Sequence, residues 1–385
     1  MVNGPLWCYF YAMKYVDNEN PMASMRFSCT QVSPNSLVYG TEDDLRKGLS
    51  SIETYAKPER VFVENNCSVS LVGDDVQGIA DQMDLPWPVY AVDSGGMKGS
   101  FEAGYSAASL RIEKEMKTKE KIPASVNVLG LSTVHMKGRE DAEEIRRLLS
   151  LSGVRVISMP GGGSNWEDIM DAPSASLNVV VRDELGLSLA KQMEQDFGTP
   201  YMSCGLPYGT DGTMAWLSEI IEKLGAGELT RASHEAAKLK EFLLRKGNNL
   251  ESLWGPLWFD AVLISAPPSE ALGIAETIRS EWIDTARLVI HAQCVTEKTT
   301  PAADAIRVVM KNEKEITKDY EEWQGGLVLS SSHETHLLQR MGRSFTGFHI
   351  ALPSHDEVHF SDLPQCGLRG AGYLYEQLWN AKLRK

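Results

Sequence analysis

Short apolar, β-branched runs recur along this chain, and segments of helical period separate most of them. The runs are RVFVE (60–64), PVYAVD (88–93), SVNVLGLS (125–132), VRVISM (154–159), LNVVV (177–181), DAVLISA (260–266), ARLVIHA (286–292), GLVLSS (326–331) and GFHIALP (347–353). Helical periodicity marks REDAEEIRRLLSLSG (139–153), GLSLAKQMEQDFG (186–198) and PSEALGIAETIRSEW (268–282). Apolar strands alternating with helices predict an α/β fold with parallel sheets covered on both faces. A chain of 385 residues outgrows one ordinary core, so two or three such domains are expected. Charged segments suggest the divisions: KTKEKIP near 122, and ELTRASHEAAKLKEFLLRKGNN after 227. The expected domains are 1–122, 123–227 and 228–385.

Local signals agree with that alternation. Gly153 and Gly198 stand where a helix C-terminus favours a left-handed residue. Pro268 and Ser269 open a periodic run, as a helix start should. SSHE (331–334) has the spacing of a capping box, with Ser331 as cap and Glu334 reaching back.

Charge and composition exclude several functions. The formal net charge is −14, and phosphate-driven nucleic-acid binding needs clustered Lys and Arg instead. The most basic stretch, RIEKEMKTKEK (111–121), is interleaved with Glu and reads as a solvated helix face. No run of about 18 apolar residues occurs, so no transmembrane helix is expected. The segment MVNGPLWCYFYAMKY lacks the basic and apolar regions of a secretory signal. A cytoplasmic protein is expected, with its six widely spaced cysteines reduced rather than paired.

Most candidate chemistry has a plain alternative. PGGGSNW (160–166) follows a strand, but the GxxxxGK and GxGxxG spacings are absent, so a turn is expected and no nucleotide is assigned to this chain. His333 and His336 form an HxxH pair, with His349, His355 and His359 beyond. Without HExxH they read as helix-start and loop residues rather than a zinc site. No GxSxG elbow supports a hydrolase. Asp74 and Asp75 are adjacent on a helix and do not face each other, so they read as structural.

The cysteines carry more. Cys8 ends NGPLWC, a Gly-Pro turn before a helical run, and Cys67 closes the strand RVFVENN and opens a helix. A thiolate at a helix N-terminus is favoured by unpaired N–H groups and the helix dipole. Those are conditions for ligating a metal or an iron–sulfur cluster. The alternative, a small buried hydrophobe, stays open on residue chemistry alone. Two thiolates cannot complete a four-cysteine site, so a second subunit would supply the rest.

An ordered set of segments resembles the nitrogenase component 1 superfamily. NGPLWC (3–8) is similar to that family's His-Gly-Pro-x-Gly-Cys segment, and SCTQVSPNSLVYGTEDDLRKGL (28–49) to the segment ending in Phe-Gly before a helix. KPERVFVENNCSVSLVGDD (57–75) is similar to its strand, cysteine and Gly-Asp-Asp helix. VNVLGLS (126–132), the region 177–202, and GLVLSSSHETHLLQRMG with the segments to 381 follow its later domains. The resemblance covers nearly the whole chain, and the two cysteine segments are its most specific part. It implies three Rossmann-like α/β domains around a central cleft.

By that resemblance Cys8 and Cys67 match two cluster ligands, while Cys29 falls where the family has a small hydroxyl residue and is structural. The implied cofactor is one 4Fe-4S cluster shared across a subunit interface, or a larger P-cluster-like group if a further cysteine exists upstream. The implied partners are a second copy or a second component 1 subunit, as homodimer or heterotetramer, and an ATP-dependent iron protein. No nucleic acid or membrane is implied. The sequence also departs from the family. Trp7 replaces the Gly before the cysteine and Asn3 the His before Gly-Pro. Arg182 stands where a catalytic dinitrogenase subunit has its cofactor cysteine, and Pro353 lies nearest its cofactor histidine. These departures argue against an iron–molybdenum-type cofactor and against nitrogen fixation. The resemblance therefore implies a nitrogenase-like reductase acting on a bound substrate, a tetrapyrrole being favoured. Alternatives are a cofactor-assembly scaffold, a partner subunit or a sulfur-compound reductase. Arg182 and His355 fall near the family's cleft and are substrate-pocket candidates, against the plainer reading of an ordinary ion pair.

Overall fold

The structure, a computed structural model, describes residues 1–19, 23–294, 306–310 and 312–384. Contacts divide the chain into two compact units, Met1–Met116 and Lys117–Lys385.

The first unit holds a parallel sheet of β1 (Val2–Asn3), β2 (Val61–Asn65) and β3 (Val89–Val92), in that order. Leu45, Leu49 and Ile52 of the helix Glu42–Tyr55 lie on one helical stripe. They share a core with Val76 and Ile79 of the helix Val76–Asp81 and with Val61, Val63 and Val89 of the sheet. The paired carboxylates are spent on structure. Asp74 Oδ2 accepts hydrogen bonds from Thr41 N (2.6 Å) and Oγ1 (2.7 Å). Asp75 caps the helix Val76–Asp81 by accepting from Gly78 N at 3.0 Å.

The second unit holds two parallel sheets. One comprises β4 (Ile122–Leu129), β5 (Arg155–Ser158), β6 (Ala175–Val180) and β7 (Tyr201–Ser203), in the order β5-β4-β6-β7. The other comprises β8 (Trp258–Ala266), β9 (Asp284–Ala292), β10 (Ile306–Met310), β11 (Leu327–Ser330) and β12 (Thr346–His349), in the order β10-β9-β8-β11-β12. That order reverses between β8 and β11, the doubly wound arrangement. Strand pleating divides β8: Val262 and Ile264 enter one core, and Leu263 joins Tyr320 and Trp323 in another. Residues 123–227 and 228–385 each carry a sheet, yet one continuous apolar core includes Val126 and Val179 from the first and Val262 and Ile264 from the second. Leu368, Leu374 and Leu378 of the helix Gly367–Leu383 belong to the same core.

Helix ends follow the sequence signals. Gly198 caps the helix Asp183–Phe197 at φ +62°, and Pro268 opens the helix Pro268–Thr277. Glu334 Oε2 accepts from Ser331 N at 3.1 Å, completing the capping box of the helix Ser332–Arg340. Gly247 sits inside the unbroken long helix Thr230–Trp254 because Tyr375 needs the space: a Cβ there would lie 2.4 Å from its hydroxyl oxygen. The PGGGSNW loop is a built turn. Gly161 and Gly163 have positive φ, Ser164 Oγ accepts from Met159 N at 2.8 Å, and Asn165 forms a capping box on the helix Trp166–Asp171. Among the described residues no helix is long and apolar enough to cross a membrane.

Candidate metal centre

The first unit gathers two sequence-distant cysteines at one place. Cys8 lies in the first turn of the helix Leu6–Glu19, which the Gly-Pro turn initiates, and its N–H donates to Pro5 O at 3.1 Å. Cys67 is the first residue of the helix Cys67–Val72, directly after β2. β1 pairs with β2 through Asn3 and Asn65, and Asn66 N donates to Asn3 O at 3.1 Å. The sheet thereby registers the Gly-Pro-Cys turn against the strand–helix junction of Cys67. The Asn66 side chain completes the link by donating from Nδ2 to Cys8 Sγ at 3.2 Å. Both thiols are exposed. The ordinary reading of a buried hydrophobe is therefore wrong for both.

The space beside Cys67 is kept open by glycine. A Cβ at Gly96 would lie 3.0 Å from Cys67 Sγ, and one at Gly95 would lie 2.2 Å from Ser70 Oγ. Gly96 also lines a cavity of about 530 Å³ whose walls include Phe27, Phe62, Glu64, Phe101 and Tyr105. This volume falls in the range of small-molecule sites, roughly 300–1,000 Å³. Sequence reasoning does not single out Asn66, the Gly95–Gly96 pair or this cavity. The run DSGGMKGS (93–100) after the strand PVYAVD is the signal that could have found them.

Cys29 takes a different role. Its Sγ donates to Gly4 O at 3.2 Å and accepts from Gln31 N at 3.4 Å. Burial pushes its thiol pKa up, and nearby Cys8 adds to the shift. It ties down the Gly-Pro turn as a neutral donor.

The donor chemistry at Cys8 and Cys67 suits a soft centre such as an iron–sulfur cluster, held by thiolates with an N–H donor at one sulfur. Among the described residues no group of three or more His, Cys, Asp or Glu side chains is arranged to hold a metal ion. The histidines of the last sheet form local hydrogen bonds and ion pairs. His349 Nδ1 lies 2.9 Å from Ser354 Oγ, and His336 Nε2 lies 3.4 Å from Asp356.

Arg182 and His355 are not alike in setting. Arg182 is fully buried and His355 is exposed. Arg182 Nη2 lies 2.6 Å from Glu270 Oε1 and 3.9 Å from Asp141 Oδ2, and its Nη1 donates to Gly130 O at 3.3 Å. Burial alone would depress the guanidinium pKa, but these carboxylates hold it up. Asp141 Oδ1 accepts from Gln365 N (2.7 Å) and Cys366 N (3.0 Å), at the start of the helix Gly367–Leu383. Its carboxyl is pushed up to about 6, chiefly by burial, against the opposing pull of Arg182. Arg182 thus belongs to a buried ion-pair network.

Parallel α/β sheets and two exposed thiols, one of them hydrogen-bonded by the residue that precedes the other, define an α/β protein with a candidate thiolate centre. The nitrogenase component 1 type oxidoreductase family matches residues 1–383, and the chain belongs to that family. Among its relatives is the nitrogenase iron-molybdenum cofactor biosynthesis protein NifE of Clostridium pasteurianum. The two are 28% identical over 260 residues, covering 66% of this chain and 54% of that protein. A subunit of the light-independent protochlorophyllide reductase of Chloroherpeton thalassium is 23% identical over 373 residues, covering 92% of this chain and 69% of that protein. The chain thus spans about half the length of the first relative and about two thirds of the second. The solved structure of nitrogenase Cp1 at pH 6.5 superposes with a TM-score of 0.78 at 17% identity, over 100% of this chain and 88% of that one. The fold expected from the alternation of strands and helices is the fold observed.

Proposed function

We propose that this chain is a subunit of a nitrogenase-like reductase that uses an iron–sulfur cluster to reduce a bound tetrapyrrole. Cys8 and Cys67 supply two thiolates to one 4Fe-4S cluster, and a second copy or a second component 1 subunit supplies the other two. The cluster supplies one-electron transfer. Electrons come from a separate ATP-dependent iron protein, since neither cysteine segment nor the PGGGSNW turn carries a nucleotide signature. The cavity beside Gly96 is the substrate site. Its aromatic walls suit a flat macrocycle, and the glycine wall brings that macrocycle close to Cys67.

The observation that carries this reading is the hydrogen-bonded link between two exposed-cysteine segments, made by Asn66 to Cys8 across 58 positions. The similarity to a protochlorophyllide reductase subunit over 92% of this chain supports the choice of substrate class. The exposed aromatics Trp7, Phe10 and Tyr11 around Cys8 support a covering subunit.

Anaerobic purification with the partner subunit tests the site. The expected result is iron and sulfide in stoichiometric amount, with a charge-transfer spectrum that Cys67→Ala abolishes. A protein free of iron and sulfide, or a spectrum unchanged in Cys67→Ala, would overturn it. A second reading, an assembly scaffold, is favoured by the 28% identity to NifE. Transfer of the cluster to an acceptor apoprotein, without turnover of any tetrapyrrole, would select it.

A further inference from the structure

Asn66 makes contacts in three directions, and each reaches a different part of the thiol pair. Its main-chain N–H donates to Asn3 O at 3.1 Å, at the root of the Gly-Pro-Cys turn. Its side-chain Oδ1 accepts from Val69 N at 3.0 Å and caps the helix that begins with Cys67. Its Nδ2 donates to Cys8 Sγ at 3.2 Å. Ser68 Oγ also donates to Oδ1 at 3.0 Å. Two donors on Oδ1 fix the amide orientation, because the NH₂ end could not accept from either of them. The NH₂ group is thereby aimed at the sulfur.

The backbone has been cleared to allow this. A Cβ at Gly4 would fall 2.6 Å from Asn66 Cγ and 2.7 Å from Nδ2. The glycine of the Gly-Pro turn is needed because the Asn66 amide occupies the space a side chain would fill. The amide is packed, oriented and doubly anchored before any cluster binds.

A donor fixed toward a ligating sulfur stabilises negative charge there. An added electron makes the cluster and its sulfurs more negative. The bond therefore favours the reduced state over the oxidised one. We infer that Asn66 is a positioning residue that sets the reduction potential of the cluster held at Cys8 and Cys67, by donating to Cys8 while capping the helix of Cys67. The inference rests on the cluster reading above and adds a specific role to a residue that is not itself a ligand.

Three variants separate the two ends of the side chain. Asn66→Ser keeps a capping oxygen and removes the donor to sulfur. Asn66→Asp keeps the cap and turns an acceptor toward the sulfur. Asn66→Ala removes both. The holoprotein of each, with its partner subunit, is titrated by electron paramagnetic resonance for midpoint potential, and its metal-free form is melted by circular dichroism. The expected result is a lower potential in all three. In Asn66→Ser the reduced-to-oxidised ratio at fixed potential falls about tenfold, equivalent to about 59 mV for a one-electron couple, and Asn66→Asp falls further. Only Asn66→Ala also loses thermal stability. Wild-type potentials in Asn66→Ser and Asn66→Asp would overturn the inference and leave Asn66 as a helix cap. Iron-free wild-type protein would overturn the cluster reading and this inference together, and iron content distinguishes the two failures.

Discussion

The two units treat their ionisable and reactive groups in opposite ways. In residues 117–385 one charge cluster is internal: Arg182, Glu270 and Asp141 are all essentially buried, with Arg182 set against both carboxylates. In residues 1–116 the thiols of Cys8 and Cys67 are exposed, beside exposed aromatics. A buried ion pair is committed to its own fold, because removing one partner strands a charge away from water. An exposed thiol held in place by an amide is available to something outside the chain. On the function proposed above, the chemistry belongs to the exposed thiols of the smaller unit and the buried network serves the fold of the larger one.

The strongest way to break this comparison is to strand a charge in the second unit. Arg182→Ala leaves Glu270 and Asp141 without their cation, and a loss of about 3–5 kcal/mol is expected. Denaturant unfolding of the purified protein measures it. Replacing Arg182 by Met together with Glu270 by Leu should restore much of that loss, since an apolar pair of similar volume is often neutral or better. If Arg182→Ala instead kept full stability and lost only tetrapyrrole binding, Arg182 would be a pocket residue after all. The Cys67→Ala change should do the reverse: all iron lost, the metal-free fold unchanged within about 0.5 kcal/mol.

The buried network of the second unit should also respond to pH. The Asp141 carboxyl is raised by burial from its ordinary value to about 6 in the folded protein. The folded state thus holds this proton more tightly than the unfolded state does. Stability from this group is full below about pH 4, declines as pH rises toward about 6, and stays reduced above. The size is on the order of 2–3 kcal/mol, at about 1.36 kcal/mol for each tenfold difference in proton affinity between the folded and unfolded states. Asp141→Asn keeps an acceptor for Gln365 N and Cys366 N and should remove that pH dependence. Subtracting its unfolding curves from wild type across about pH 4–7 isolates the contribution. A difference that does not vary with pH would show that Asp141 is ionised throughout.

How far the sequence led differs between the same two regions. The sheets are legible wherever a strand is a β-branched run, as in SVNVLGLS and DAVLISA. β1 is two residues long and carries no pattern of its own. β7 follows Pro200 and reads Tyr-Met-Ser, and it is a strand only because β6 offers it an edge. β10 (Ile306–Met310) has the composition of a strand, but it is short and the charged run that follows obscures it. The cysteines are legible as residue types beside turn and helix signals. Their contacts are not: Asn66 reaches Cys8 over 58 positions, and Arg182 reaches Glu270 over 88. Such pairings are set by which strands lie side by side, and no local pattern encodes that.

The smallest effect on the isolated fold is expected at Trp7, and it sharpens the comparison most directly. Trp7 is 69% exposed and stacks on Tyr11 at 6.2 Å, with Phe10 edge-on to both. Positions 7, 10 and 11 share one face of the helix Leu6–Glu19. Exposed aromatics contribute little to a fold they do not pack into, so Trp7→Ser should change unfolding free energy by less than about 0.5 kcal/mol. Aromatics at the centre of an interface contribute far more to association, about 2 kcal/mol or above for an anchor. If a second subunit covers Cys8, Trp7→Ser should weaken assembly at least tenfold, read by sedimentation velocity across a dilution series. Iron content should fall in parallel, because the missing two thiolates leave with the partner. Unaltered assembly and iron content would place the covering surface elsewhere and leave this aromatic face unexplained. Loss of iron without loss of assembly would show instead that Trp7 shields the cluster from solvent and is not an anchor for the partner.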